Sequence, residues 1–131
     1  MKKEAISTTK APGAIGPYSQ AIRVGDLLFT SGQIALDPIS GSMAAGDVKT
    51  QTRQVLTNLK EVLEAGGSNL AKVIKTTVFV MDLGQFATIN AEYESFFKEF
   101  AMGSPFPSRS TVQVSALPRG SLVEIEAIAQ I

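Results

Sequence analysis

The sequence predicts one domain of mixed strands and helices, and three observations carry that expectation. A chain of 131 residues with 44% hydrophobic content has room for one core and not two. Two segments place apolar side chains at helical spacing, and the segments around them are short, β-branched or alternating runs bounded by Gly and Pro.

Residues 1 to 16 are small and polar, with Pro12, Gly13 and Gly16 as breakers, and are expected to form an irregular arm leading to Pro17. Tyr18 to Val24 and Leu27 to Ser31 suit strands, with Gly25-Asp26 as a hairpin turn between them. Leu36 to Gly46 is expected as loop. Asp47 can cap a helix in which Val48, Val55, Leu56, Leu59, Val62 and Leu63 share one face, and Gly66-Gly67 supply a left-handed stop. Lys72 to Met81 is rich in β-branched residues and too short for another helix, so it is expected as a buried strand, completing a β-α-β unit.

From about Leu83 to Phe100 a second amphipathic helix is marked by Phe86, Ile89, Tyr93, Phe96, Phe97 and Phe100. Such a stripe is expected to be sheet-facing core and not an aromatic ligand box. Asn90 interrupts it, either as a satisfied core amide or as a group at a pocket edge. After a loop at Ala101 to Pro107, strands are expected at Arg109 to Ser115 and Leu122 to Ile131, joined through Leu117-Pro118-Arg119-Gly120.

In the last strand Val123, Ile125, Ala127, Ala129 and Ile131 share one face; Leu122, Glu124, Glu126, Ile128 and Gln130 share the other. The same alternation puts Val112 and Val114 on the core side and Arg109, Thr111 and Gln113 on the mixed side. An antiparallel hairpin of these two strands would bring Arg109 and Thr111 onto one sheet face with Glu124 and Glu126.

Composition narrows the chemistry. There is no Cys and no His, so thiol nucleophiles, the usual zinc ligand sets and an imidazole base are unavailable. Lys plus Arg and Asp plus Glu both count 12, which offers no field for steering polyanions or coating an anionic membrane. No signal-peptide core and no membrane-length apolar run is present, and a cytoplasmic location is expected. An Arg and a Glu on facing strand positions fit two readings. They can form an ordinary ion pair, or a fork gripping a small carboxylate beside a carboxylate that handles a water.

Six stretches bear on that choice: AIGPYSQA at Ala14 to Ala21, SGQI at Ser31 to Ile34, KTTVFVMDL at Lys75 to Leu83, FATINAEYESFF at Phe86 to Phe97, PSRSTV at Pro107 to Val112, and LPRGSLVEIEAIA at Leu117 to Ala129. In this order the sequence resembles the Rid (YjgF) family of reactive-intermediate deaminases from about Ala11 to Ile131. The resemblance implies a chorismate-mutase-like α+β protomer, with two helices on one side of the sheet, assembled as a homotrimer with active sites at the subunit clefts. It implies hydrolysis of 2-imino acids, released by pyridoxal-phosphate dehydratases acting on threonine or serine, to 2-oxo acids and ammonia without a cofactor.

On this resemblance Arg109 holds the substrate carboxylate, Glu124 positions the attacking water and Tyr18 forms part of the pocket wall. Backbone groups near Gly32 and in Arg109-Ser110-Thr111 complete the grip, with Asn90 as a pocket neighbour. Thr111 stands where many family members carry Cys, and the Ala101 to Pro107 loop is slightly longer than usual. Glu126 is expected at an interface or in solvent, and Lys75 as a solvated or snorkelling side chain and not a Schiff base. Two other functions compete: a 2-oxo acid sensor using the Arg109 pocket without turnover, and an RNA-cleaving translation inhibitor. Zero net charge and the lack of His weigh against the latter.

Overall fold

A computed structural model describes all of residues 1–131. Its strands are β1 (Lys3–Ile6), β2 (Ala21–Val24), β3 (Leu27–Thr30), β4 (Val73–Val80), β5 (Ser108–Gln113) and β6 (Val123–Gln130). Its helices are α1 (Val48–Ala65) and α2 (Phe86–Phe100). The six strands form one sheet in the order β1-β2-β3-β6-β4-β5. Both helices pack on one face of it, the architecture expected from the family resemblance.

The best-marked helix forms as the sequence suggests. The Asp47 carboxylate accepts from the Thr50 amide at 3.0 Å, satisfying one of the free donors of the first turn. Gly67, at φ 87°, gives the left-handed residue that ends it. The Gly67 and Ser68 amides then return to the carbonyls of Glu64 and Leu63. Val55, Leu56, Leu59, Val62 and Leu63 are wholly buried against Leu28, Val78, Ile125 and Phe96. Each such side chain contributes roughly 1.5–3 kcal/mol relative to exposure. No helix is long and apolar enough to cross a membrane.

The N-terminal arm departs from expectation, because Lys3–Ile6 is a strand and not irregular chain. It pairs antiparallel with β2, from Lys3 opposite Val24 to Ile6 opposite Ala21. Lys3, Glu4 and Ala5 on this edge strand are exposed and only Ile6 packs against the core, so no hydrophobic alternation marks it. The rest of the arm is clamped by the buried Gln20 side chain, which accepts from the Thr8 amide at 2.7 Å and donates to the Thr8 and Pro12 carbonyls. Tyr18 to Gln20 fall outside β2. Ser19 instead accepts a 2.6 Å bond from the Ser31 hydroxyl.

A second correction matters more. β5 and β6 do not form a hairpin: β5 runs parallel to β4, and β6 runs antiparallel to β4 on its other side. The reason lies in the connections. The chain passes from β4 to β5 through α2, and a helical crossover delivers a parallel strand. The segment from Val114 to Leu122, with its turn at Pro118–Gly120, then carries the chain past β4 to the sheet interior. The β3-α1-β4 unit is likewise present as a parallel crossover, with β6 lying between its two strands.

Candidate active site

The register decides which side chains can meet. Thr76 stands opposite both Arg109 and Ala127, whereas Phe79 stands opposite both Val112 and Glu124. Because faces alternate residue by residue, Arg109 and Thr111 lie on the helix face with Val78, Ile125 and Ala127. Glu124, Glu126, Ser110 and Val112 lie on the opposite, open face. The expected sharing of one face by Arg109 and Glu124 is therefore wrong, as is the placing of Val112 on the core side; its side chain is 43% exposed. With one apolar residue in Ser-Arg-Ser-Thr-Val-Gln, β5 carries no alternation strong enough to fix its facing.

On the helix face, Arg109 reaches a cleft of about 330 Å³ between α2 and edge strand β5, lined by Asn90, Tyr93, Glu94, Phe106, Pro107 and Arg109. Asn90 thus takes the pocket-edge option of its two. The half-buried Arg109 guanidinium has no hydrogen bond or ion pair within the chain. It lies over two rings, 4.9 Å from the centre of Tyr93 and 5.5 Å from that of Phe86. The Val114 amide donates to Val80. By the two-residue period of the ladder, the amides of Arg109 and Thr111 turn to the free edge. The Thr111 hydroxyl is buried without a hydrogen-bond partner.

On the open face, Glu124 is half-buried and makes no ion pair. A Cβ at Gly32 would come within 2.5 Å of its Oε2 and 2.7 Å of its Cδ, so the glycine lets the carboxylate lie flat against the loop after β3. Burial pushes the Glu124 carboxyl above its ordinary value, and the charge of Glu126 adds to the effect. The Ser31–Ser19 bond ties the Tyr18 segment to the same loop. Tyr18 is 49% exposed, and its hydroxyl accepts from the Ile15 amide at 3.3 Å.

The fold therefore divides the expected site residues into two groups. Arg109, Asn90 and the Thr111 backbone gather at the helix-side edge; Glu124 and Gly32 gather on the open face, with Tyr18 beside their loop. Phe86, Tyr93, Glu94, Phe106 and Pro107 were not among the expected site residues. Phe86 and Tyr93 belong to a stripe expected as core, yet Phe86 is 40% exposed. Its place one turn before the polar Asn90 is the one sequence signal that could have set it apart.

The chain is 48% identical to a human 2-iminobutanoate/2-iminopropanoate deaminase over 127 residues, covering 97% of this chain and 89% of that protein. It is 51% identical to the protein of that name from Salmonella typhimurium over 124 residues, covering 95% and 94%. A relative from Sinorhizobium fredii, 50% identical over 125 residues and 95% of each chain, is known as a RutC family protein. Among solved structures, E. coli TdcF with bound serine superposes with a TM-score of 0.92 at 46% identity, covering 98% of each chain. The E. coli YjgF gene product gives 0.92 at 48%, covering 97% of this chain and 98% of that one. With the endoribonuclease L-PSP family model matching residues 8–131, the chain belongs to the L-PSP family, the YjgF/Rid family that its sequence resembles.

Proposed function

We propose that this protein hydrolyses reactive 2-imino and enamino acids, such as 2-iminobutanoate and 2-iminopropanoate, to 2-oxo acids and ammonia. The observation that carries the proposal is the pair of half-sites: an Arg free of carboxylate partners in a cleft, and a desolvated Glu on the other face. Neither half completes a site alone. The open face also carries Phe29, Leu27 and Val112 at 39%, 37% and 43% exposure without a helix to cover it, which favours burial against other copies. In a homotrimer, Arg109 of one protomer and Glu124 of its neighbour would face one substrate.

There the Arg109 fork binds the substrate carboxylate, with Asn90 and the outward Thr111 amide beside it; Thr keeps that amide as Cys would. The protonated imine is already electrophilic at C2, so orientation and a water suffice. Glu124, its basicity raised by burial, takes a proton as the water oxygen bonds to C2. The proton passes to the amine nitrogen of the tetrahedral adduct, the C–N bond breaks, and ammonia leaves as the hydroxyl oxygen forms the carbonyl. That oxygen gives its own proton back to the freed Glu124 carboxylate, which passes it to the departing ammonia or to water. Two relatives near 50% identity bear the deaminase name. The TdcF structure holds serine, a molecule with the carboxylate and size this reading requires.

The ribonuclease description of the family model finds less support here. There is no His for general base work, the charge is balanced, and the Arg109 cleft includes Glu94, unfavourable for phosphate.

The test couples the purified protein to a threonine dehydratase and follows imine lifetime. Faster release of 2-oxobutanoate and ammonia at limiting protein is expected. Decay at the buffer rate with folded protein would overturn the deaminase reading and leave the 2-oxo acid sensor.

A further inference from the structure

Two arginines of this chain are held in different ways. Arg53 on α1 also lies over a ring, 5.4 Å from the centre of Phe96, but it donates to Glu92 at 3.0 Å and Glu99 at 2.8 Å, so its fork is occupied. Arg109 meets no carboxylate, and an unrestrained guanidinium on a long flexible stem would sample many orientations. Rings restrain it instead. Tyr93 and Phe86 sit on the same side of α2, both within cation–π distance of the Arg109 guanidinium carbon.

The Tyr93 ring is itself fixed. It is 4% exposed, and its hydroxyl shares a 2.7 Å bond with the wholly buried Thr76 hydroxyl, on the residue directly opposite Arg109 in β4. Phe97 stacks on it with ring centres 4.6 Å apart and planes 28° apart. A chain of contacts thus runs from Arg109 to the core. Cation–π attraction acts through the flat face of a guanidinium, whereas a carboxylate is gripped through the N–H groups in its plane. Rings can therefore hold the group without consuming its donors, which an acidic partner cannot do.

We propose that Tyr93 and Phe86 are positioning residues for Arg109, setting its fork toward the substrate carboxylate, with Thr76 locking Tyr93 in place. The proposal rests on the carboxylate-binding role of Arg109 given above. It also accounts for Phe86, a large apolar side chain left 40% exposed at the start of α2.

The test measures steady-state rates on imine and thermal midpoints for full-length variants. Tyr93→Leu and Phe86→Leu should each lower kcat/KM by about 3- to 30-fold, chiefly through a raised KM. Tyr93→Phe should recover most of what Tyr93→Leu loses, because the ring remains. Phe100→Leu, at the far end of the helix where the ring packs on Phe96, should keep parental constants. The decisive comparison is made in Arg109→Ala: adding Phe86→Leu or Tyr93→Leu should cost nothing further if the rings act through Arg109. Losses that multiply in the double variants, or parental KM in both ring variants beside a crippled Arg109→Ala, would overturn the positioning role alone. Parental activity in Arg109→Ala would overturn the site and this proposal with it. Should Tyr93→Leu fail to fold, Phe86→Leu decides, since its exposed ring contributes little to the core.

Discussion

The helix-side cleft and the open sheet face prepare their charged groups by opposite means. Arg109 lies against the faces of two aromatic rings beside a free strand edge, so its guanidinium is held while its donors stay available. Glu124 is placed where its charge is disfavoured, half-buried beside Glu126 and pressed on a glycine. A binding group needs persistent charge and fixed direction, whereas a proton acceptor needs raised basicity. The two environments are hard to build side by side in one small protomer, because a carboxylate next to Arg109 would lose its basicity. On the proposed shared cleft, putting them on opposite faces would keep them apart until copies assemble.

The largest expected effect tests that division directly. Glu124→Gln should depress kcat on the order of 10²- to 10⁴-fold with little change in substrate affinity, the range of a lost general base. Arg109→Lys should lower kcat/KM by about 10- to 150-fold, because an ammonium cannot reproduce the two parallel bonds. Mixing the two variants after dissociation and reassembly sharpens the comparison. If each site takes Arg109 and Glu124 from different protomers, about a quarter of the sites in random trimers regain both groups. No recovery after proven subunit exchange would place both residues in one protomer's site and contradict the shared cleft.

Gly32→Ala should act on the open face alone. The added Cβ displaces the Glu124 carboxylate, a flexible group, so the thermal midpoint should change little while kcat drops by about tenfold through misplacement. An unchanged kcat would show that the close packing of Gly32 on Glu124 has no part in the chemistry.

The smallest expected effect is a shift in pH profile. The Glu124 carboxyl sits above its ordinary value, first through burial and then through Glu126, so on the proposed mechanism activity should be lost as pH falls through that raised value. Glu126→Gln removes the like charge and should move the acid limb to lower pH, leaving the rate at neutral pH near parental. Stability has the reverse sign. A carboxyl whose pKa is raised by folding contributes stability below its unfolded value and loses it as pH rises through the folded one. Glu124→Gln should therefore raise the thermal midpoint near neutral pH relative to the parent, and not in acid. An acid limb unmoved by Glu126→Gln would remove the like-charge cause.

Much of this was legible in the chain. Asp47 and Gly67 marked both ends of α1, the Phe86 to Phe100 stripe marked α2, and the alternation Val123-Glu124-Ile125-Glu126-Ala127 gave β6 its two faces, because caps, helical spacing and strand parity are local quantities. The irregular reading of residues 3 to 6 failed because an edge strand pairs by backbone and shows no side-chain pattern.

What the sequence by itself determined is a one-domain chain without thiol or imidazole and two helices with their buried faces; it offered Arg109, Glu124 and Glu126 as candidate charged groups, and the family resemblance singled out Arg109 and Glu124. Only the tertiary structure decided that β4 lies between β5 and β6, that Arg109 stands on the face opposite Glu124, and that aromatic rings and not a carboxylate hold its guanidinium. The physical reason is that strand order and direction depend on how crossovers pack. A helical connection enforces a parallel neighbour, and one intervening strand separates residues that a hairpin would have joined.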